Sequence, residues 1–137
     1  MSNSEIYRRI FSLMDEQNFA AIRELLGPEF SAFFGSNPPM DADEWLGMGA
    51  MFYAAFSDGK HTFHEIYESG DHVFARGSFS GTHTGDFMGM SPTGKEISVS
   101  EMNFDRFADG KLVEHRGEAD MVGLMQQLGA IPAPATT

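Results

Sequence analysis

The chain has 137 residues and is 42% hydrophobic, which suits one ordinary domain whose core needs neither disulfides nor metal. Its 9 basic and 20 acidic residues give a formal net charge of -11, which disfavours nucleic acid and anionic membrane surfaces as partners. The chain has no cysteine, which excludes disulfides, thiolate metal sites and a cysteine nucleophile, so any chemistry must use carboxylates, imidazoles, hydroxyls or amides.

The N-terminal segment lacks the apolar core of a signal peptide, and no apolar run approaches the roughly 20 residues of a membrane span. We therefore expect a cytoplasmic protein. Apolar residues recur at helical spacing from Ser4 onwards and predict an amphipathic helix capped by Ser4 or Asn3. A short second helix is predicted over residues 19–26, capped by Asn18 and stopped by Gly27-Pro28.

A third helix is predicted after the irregular stretch around Gly35-Ser36-Asn37-Pro38-Pro39, with Asp41 or Asp43 as its cap and Asp58-Gly59 as its end. Its internal glycines, Gly47 and Gly49, lower helix propensity. They favour close packing or a ligand space beside this helix.

Short runs broken by turn signals then predict strands over residues 60–69, 72–83, 96–107 and 111–120, followed by a closing helix over 121–128. Long strands of this kind suit a strongly bent sheet. The predicted fold class is α+β: a cone-shaped α+β barrel with the N-terminal helices packed on a strongly curved antiparallel sheet. We expect one domain over residues 1–130 and a flexible tail over 131–137.

A series of motifs in the C-terminal half is similar to a known family. The series comprises Gly81-Thr82-His83-Thr84-Gly85-Asp86-Phe87-Met88-Gly89, Pro92-Thr93-Gly94-Lys95, Arg106-Phe107-Ala108-Asp109-Gly110-Lys111, Glu114-His115, and Asp120 before Gly123-Leu124-Met125-Gln126-Gln127-Leu128-Gly129. In order and spacing it resembles the SnoaL-like polyketide (ester) cyclases, within the nuclear transport factor 2-like superfamily. The likeness extends over roughly residues 5–130.

The resemblance implies a cone-shaped pocket and an intramolecular aldol ring closure of a polyketide ester, with no metal and no organic cofactor. The expected substrate is a small apolar or aromatic molecule that contains a carbonyl group. Asp120 matches the family's general acid/base, an aspartate near the end of the last strand. Arg116 stands where many relatives carry tryptophan, which makes this part of the pocket more polar.

An aldol ring closure needs a base, an acid and donors to the enolate, and one carboxyl can serve as both base and acid. Alternation along the last strand places Arg116, Glu118 and Asp120 on one face unless a bulge intervenes, and makes Arg116 and Glu118 candidates for substrate binding. The alternative is a solvated stripe in which Glu114, Arg116 and Glu118 pair. The alternative for Asp120 is the N-cap of the closing helix, a role that can coexist with catalysis.

The histidines give no metal pattern, because His61 and His64 are three residues apart and point to opposite faces of a strand. His64 and His83 are candidates for polarising or orienting a substrate, although an isolated histidine is more often structural. On the third strand, Glu101, Asn103 and Asp105 alternate onto one face, and Asn103 is a candidate donor to a substrate carbonyl. Its neighbours Glu101 and Asp105 are expected to point outward or to pair with arginine.

Methionine and aromatic residues are abundant, with 10 Met and 13 Phe, which favours a roomy apolar cavity for a flat ligand. The alternative is ordinary core. The candidate lining residues are Met14, Trp45, Phe52, Tyr53 and Met88, with Met48 and Met51 in the same stripe.

Two other functions remain open: a non-catalytic protein that binds a small molecule in the same fold, and an isomerase or an epoxide hydrolase-like enzyme. The epoxide hydrolase-like site would need Asp120, Asp105 and Arg106 to converge on one water. We also expect a homodimer through an outward sheet face that carries Ile97, Val99, Phe79 or Phe74.

Overall fold

The computed structural model describes residues 1–134. The elements in chain order are α1 (Asn3–Asp15), α2 (Phe19–Arg23), β1 (Leu26–Phe34), α3 (Ala42–Ala55), β2 (Lys60–Ser69), β3 (His72–Thr82), β4 (Glu96–Ala108), β5 (Lys111–Ala119) and α4 (Met121–Leu128). Residues 131–134 are exposed and irregular, and residues 135–137 lie outside the described part. The flexible tail therefore stays a prediction.

Side-chain caps begin the helices near the predicted positions. Ser2, rather than Ser4 or Asn3, caps α1 and forms a capping box with Glu5, and Asp41 forms the equivalent box with Glu44 at α3. Asn18 caps α2 as predicted, but this helix ends three residues earlier than predicted because Leu26 already belongs to β1.

The four predicted strands form an antiparallel meander in the spatial order β2-β3-β4-β5. The β4–β5 hairpin turns at Asp109 and Gly110, whose φ angles of 52° and 74° are those of a tight hairpin turn that favours Asp-Gly. The helix-then-meander order and the turn positions are thus confirmed.

The stretch over residues 26–34, predicted to be a helix end and an irregular segment, is instead a fifth strand. This strand, β1, pairs with β5 in parallel, so the sheet is mixed and not wholly antiparallel. Its ladder is irregular between Leu26 and Ser31. Pro28 lies in this irregular part, and β1 is an edge strand, where a missing backbone N–H is tolerated.

One face of the sheet is covered by helices and carries the core, in which Tyr7, Ile10, Phe56 and Leu112 are fully buried. Residues from all five strands line one pocket. Five strands in a flat sheet would span about 19 Å, so the sheet must curve for both of its edges to reach the same pocket. The α+β class and the curved sheet are confirmed. The sheet remains open, with β1 and β2 at its edges.

The residues expected on the outward sheet face divide between the two faces. Ile97, Val99 and Phe79 are buried on the inner face, so this part of the prediction is wrong, whereas Phe74 is exposed on the outer face. No helix within residues 1–134 is long and apolar enough to cross a membrane.

Candidate active site

A pocket opens between the inner face of the sheet and helices α1, α3 and α4. Its walls are mostly aromatic and aliphatic, and a small group of polar side chains projects into it. The lining residues are Phe11, Met14, Phe34, Trp45, Met48, Gly49, Phe52, Tyr53, His61, Phe79, Val99, Glu101, Asn103, His115, Gly117, Glu118, Ala119, Met121 and Leu124. An apolar cavity with a few converging polar groups is the usual form of a small-molecule site.

His115 and Asp105 form a buried carboxylate–imidazole pair at the pocket wall. His115 Nδ1 lies 2.8 Å from Asp105 Oδ1, and the Asp105 side chain has no solvent exposure. The imidazole packs against Trp45, with ring centroids 4.9 Å apart. Burial raises the pKa of Asp105, and the hydrogen bond and charge of His115 oppose that rise. The contact between the two side chains is therefore largely shielded from solvent, while the His115 ring also lines the pocket.

The other nitrogen of this imidazole, His115 Nε2, faces Gly117, two residues further along β5. A Cβ atom at position 117 would lie 3.0 Å from His115 Nε2 and 3.1 Å from Asn103 Oδ1. The missing side chain therefore leaves Nε2 uncovered on the pocket side. Because the first nitrogen is held by Asp105, Nε2 is the atom that can exchange a proton with a bound molecule.

A second carboxylate–imidazole pair joins α1 to β2. His61 Nδ1 lies 2.7 Å from Asp15 Oδ1, and the His61 backbone N–H donates to Asp15 Oδ2 at 3.0 Å. The Tyr53 hydroxyl donates to Asp15 Oδ1 at 2.6 Å. Burial alone would raise the pKa of Asp15, but the hydrogen bonds from His61 and Tyr53 outweigh it and hold this pKa below its usual value.

Glu101 on β4 faces the His61 ring from inside the pocket. Its Oε1 lies 3.4 Å from His61 Nε2, and it is buried without a hydrogen-bond partner among residues 1–134. Burial raises the pKa of Glu101, and the charges of Asp15 and Asp105 add to this rise, while His61 and His115 oppose it. A carboxyl in this environment is a proton donor or acceptor closer to neutral pH than an exposed glutamate.

Asn103 lies on the same face of β4, between Glu101 and Asp105. Its side chain is buried, and Nδ2 donates to the Tyr7 hydroxyl at 2.8 Å. This bond orients the Asn103 amide at the pocket wall. The predicted single face for residues 101, 103 and 105 is confirmed, but that face points inward, so the expected outward orientation of Glu101 and Asp105 is wrong.

Six of the residues predicted to bind substrate line the pocket: Met14, Trp45, Phe52, Tyr53, Asn103 and Glu118. Two others do not line it. Met88 is 68% exposed in the β3–β4 loop. Arg116 lies on the outer sheet face, where it donates to Glu114 at 3.0 Å and stacks 4.0 Å above the Phe33 ring.

Asp120 is exposed and is not among the lining residues. Its Oδ1 accepts a hydrogen bond from Gly123 N at 2.8 Å and thereby caps α4. A Cβ atom at Gly123 would lie 2.1 Å from Asp120 Oδ2, so the glycine makes room for the cap. The cap is an observed feature, and the acid/base role of Asp120 stays a prediction.

The two histidines predicted to assist catalysis also lie elsewhere. His64 is exposed on β2. His83 is fully buried beyond the end of β3, where its Nδ1 accepts a hydrogen bond from Thr93 N at 3.1 Å and thereby holds the β3–β4 loop. Asp105 and Arg106 face opposite sides of β4, and Arg106 lies 3.9 Å from Glu114, so the three residues of an epoxide hydrolase-like site do not converge.

Local sequence patterns did not predict His61, Glu101 or His115 as residues of the pocket. A register shift in the β4–β5 ladder between Arg106 and Phe107 changes which residues of β5 point inward. It places His115 and Gly117 inside and Arg116 outside. Alternation did indicate Glu101 and Asp105 through their spacing with Asn103, although not on which face.

The arrangement supplies the components of acid/base chemistry on a carbonyl compound. With Nδ1–H directed at Asp105, a neutral His115 presents a lone pair at Nε2, and a protonated His115 presents an N–H group there. Glu101 is a buried carboxyl whose raised pKa favours the protonated form. Aromatic walls exclude water and strengthen the electrostatic interactions of both groups.

A sequence model of the SnoaL-like polyketide cyclases matches residues 4–128 of the chain. Among its relatives, the aklanonic acid methyl ester cyclase AcmA of Streptomyces galilaeus is 41% identical over 71 residues, which cover 52% of this chain and 49% of AcmA. The aklanonic acid methyl ester cyclase DnrD of Streptomyces peucetius is 37% identical over 76 residues, 55% of this chain and 52% of DnrD. The matched region thus spans about half the length of these relatives.

Two solved structures share the fold over nearly the whole chain. AclR of Streptomyces galilaeus, described as a candidate hydroxylase, superposes with a TM-score of 0.89 at 25% identity and covers 97% of this chain and 84% of AclR. IdmH of Streptomyces antibioticus, described as a candidate polyketide cyclase, has a TM-score of 0.85 at 30% identity over 94% of this chain and 99% of IdmH.

Proposed function

Because the chain belongs to the SnoaL-like polyketide cyclase family, we propose that it closes a ring in an apolar polyketide-type ester by an intramolecular aldol reaction. The observation that carries this proposal is the His115–Asp105 pair, whose free Nε2 opens into an apolar pocket that also holds the buried Glu101. The chemistry uses side chains only, as the family resemblance implies.

In the proposed reaction, His115 Nε2 takes a proton from the carbon next to a substrate carbonyl, and the enolate carbon attacks a second carbonyl carbon of the same molecule. A carbon–carbon bond forms as the second C=O becomes an alkoxide. Glu101, which burial keeps protonated to higher pH, gives its proton to the alkoxide. The substrate gains and loses one proton, so the product is an isomer.

The geometry favours His115 and Glu101 over Asp120 as the acid/base groups. A candidate base must come within about 2.6–3.2 Å of the atom that carries the proton, directly or through one water. His115 and Glu101 line the pocket, whereas Asp120 is exposed at the start of α4. The predicted role of Asp120 requires a substrate that extends out to this helix end.

The test is turnover of aklanonic acid methyl ester, because AcmA and DnrD are named for it. Chromatography, mass spectrometry and NMR would follow the product, and ring closure predicts a new compound of unchanged mass. His115→Gln is expected to slow the reaction by about 100-fold or more, the usual contribution of a general base. His64→Gln is the matched control, since it removes an exposed imidazole outside the pocket.

Each other outcome decides against part of the proposal. Equal rates for His115→Gln and His64→Gln would exclude His115 as the base. Binding without chemical change would support the alternative of a non-catalytic binding protein. A product heavier by one oxygen atom would indicate the hydroxylation for which AclR is named.

We further propose that two copies of the chain associate through the outer sheet face. An exposed patch there, the outer aromatic patch, consists of Tyr67, Phe74, Met102 and Phe104. Phe74 pairs with both Tyr67 and Phe104 in the ladders, so the patch crosses three adjacent strands. The same face carries the ion pairs Arg76–Glu65 and Arg116–Glu114, so a two-fold related copy can match arginines with carboxylates.

Sedimentation equilibrium tests this association. Phe104→Asp is expected to yield a monomer, because it places a charge in the centre of the apolar contact. Val122→Asp is the control, since Val122 is 61% exposed on α4 and not part of the sheet. A wild-type protein that stays monomeric at all concentrations would refute the dimer.

A further inference from the structure

Like the His115–Asp105 pair, the Asp15–His61 pair is held by short hydrogen bonds, but the proposed ring closure gives it no role. Asp15 is the last residue of α1, and four hydrogen-bond contacts reach its carboxylate: two from the His61 backbone N–H, one from His61 Nδ1 and one from the Tyr53 hydroxyl. Their lengths lie between 2.6 and 3.2 Å. An ordinary ion pair at the protein surface is not held by this many hydrogen bonds.

This arrangement determines which nitrogen of His61 carries the hydrogen. An ionised carboxylate only accepts hydrogen bonds, and these contacts hold the pKa of Asp15 below its usual value. His61 Nδ1 must therefore donate. In the neutral imidazole, Nε2 is then left as an acceptor, and it faces Glu101 Oε1 at 3.4 Å.

An acceptor nitrogen beside a carboxyl favours the form of that carboxyl that carries a proton. Glu101 Oε1 is buried and makes no hydrogen bond within residues 1–134, and His61 Nε2 lies 3.4 Å from it. Its proton can therefore point to His61 Nε2 until a substrate takes it.

We propose that Asp15 is a positioning residue, which fixes the Nδ1–H tautomer of His61 so that His61 Nε2 and Glu101 share the proton that Glu101 delivers to the substrate alkoxide. This role rests on the proposed ring closure. When Glu101 gives up the proton, it becomes a carboxylate, while His115 has gained a proton from the substrate carbon. The number of protons on the protein is unchanged over the step.

The ionisable groups around His61 and Glu101 come from helices α1 and α3 and from strands β4 and β5. Asp15 on α1 and Tyr53 on α3 contact His61 from one side. Glu101 lies on β4 together with Asp105, and His115 approaches from β5. Burial is the largest cause of the raised pKa of Glu101, and the charges of Asp15 and Asp105 add to it, whereas the positive charge of a protonated His61 or His115 lowers it.

The first test needs no substrate. Nitrogen-15 NMR of the histidine side chains, with the His61 signals assigned through a His61→Gln variant, reports which ring nitrogen carries the hydrogen. We expect Nδ1–H in the wild type, Nδ1–H in Tyr53→Phe, and a shift towards Nε2–H in Asp15→Ala. A wild-type His61 that carries its hydrogen on Nε2 would overturn the proposal, and this result does not depend on whether Asp15→Ala folds.

The second test measures the pH dependence of kcat/KM with aklanonic acid methyl ester. Removing Asp15 deletes a negative charge that raises the pKa of Glu101, and it lets Nε2–H donate to the Glu101 carboxylate. The alkaline limb in Asp15→Ala should therefore move to lower pH. A uniform loss at every pH would assign Asp15 a purely structural role and overturn the proposal.

The two tests separate this proposal from the proposed function. If no ester is converted but the tautomers are as expected, the ring closure fails and the positioning of His61 by Asp15 stands. If the ester is converted but His61 carries its hydrogen on Nε2, the ring closure stands and the role of Asp15 fails.

Discussion

A methyl group at position 117 should block the reaction without unfolding the protein. The Cβ atom of Gly117→Ala would lie 3.0 Å from His115 Nε2, 3.1 Å from Asn103 Oδ1 and 3.6 Å from His115 Cε1. The first two contacts are tighter than usual, so the side chains at 103 and 115 must move by a few tenths of an ångström. Such overpacking costs about 1–3 kcal/mol of the free energy of unfolding.

The expected effect on activity is much larger than the effect on stability. The methyl group would occupy the space from which a substrate carbon must approach His115 Nε2 to within about 2.6–3.2 Å. Loss of this approach removes the contribution of the general base, so kcat/KM for aklanonic acid methyl ester should fall by about 100-fold or more.

Gly81→Ala provides a matched control for the steric cost. A Cβ atom there would lie 3.1 Å from Phe56 Cβ and 3.2 Å from Asp58 Oδ1, which is a similar degree of crowding, and Gly81 does not line the pocket. Urea unfolding and kcat/KM would be measured on both variants. If Gly117→Ala were as active as Gly81→Ala, the argument that a substrate reaches His115 Nε2 through the space beside Gly117 would be refuted.

Three further predictions concern other parts of the site. Asp120→Ala should cost about 1 kcal/mol in urea unfolding because α4 loses its N-cap, while Asp120→Asn should keep turnover near the wild-type rate. Burial raises the pKa of Glu101 above its usual 4.5, so above pH 4.5 the folded state binds more protons than the unfolded chain, and the free energy of unfolding falls as the pH rises. Urea titrations should therefore show that Glu101→Gln gains stability relative to wild type from pH 4.5 upwards, with no gain at lower pH. His83→Ala should lower the melting temperature by removing about 2–4 kcal/mol of packing and hydrogen bonding with Thr93, with little change in kcat/KM.

Local sequence signals predicted the helices, their order and the meander, because caps, apolar spacing and Asp-Gly turns act over a few residues. They missed β1 because its partner, β5, is about 80 residues away in sequence, and because Gly27-Pro28 is a typical helix stop. Parallel pairing across such a distance leaves no local pattern.

The site was predicted less completely than the fold, for two physical reasons. A single register shift before Phe107 exchanged the faces of β5, so that His115 and Gly117 point inward in place of Arg116. The Asp15–His61 pair joins residues 46 positions apart, and nothing in the end of α1 distinguishes Asp15 from an ordinary exposed aspartate. The aromatic lining was predicted more successfully because Trp45, Phe52 and Tyr53 share one helix.

The most direct test of the proposed site is a crystal structure of the His115→Gln variant with aklanonic acid methyl ester bound. We predict that the ester lies between Trp45 and Glu101, with the carbon that forms the new bond within about 3.5 Å of the side chain at position 115. An ester bound outside the pocket, with its reacting carbon beside Asp120, would contradict this account and return the acid/base role to that aspartate.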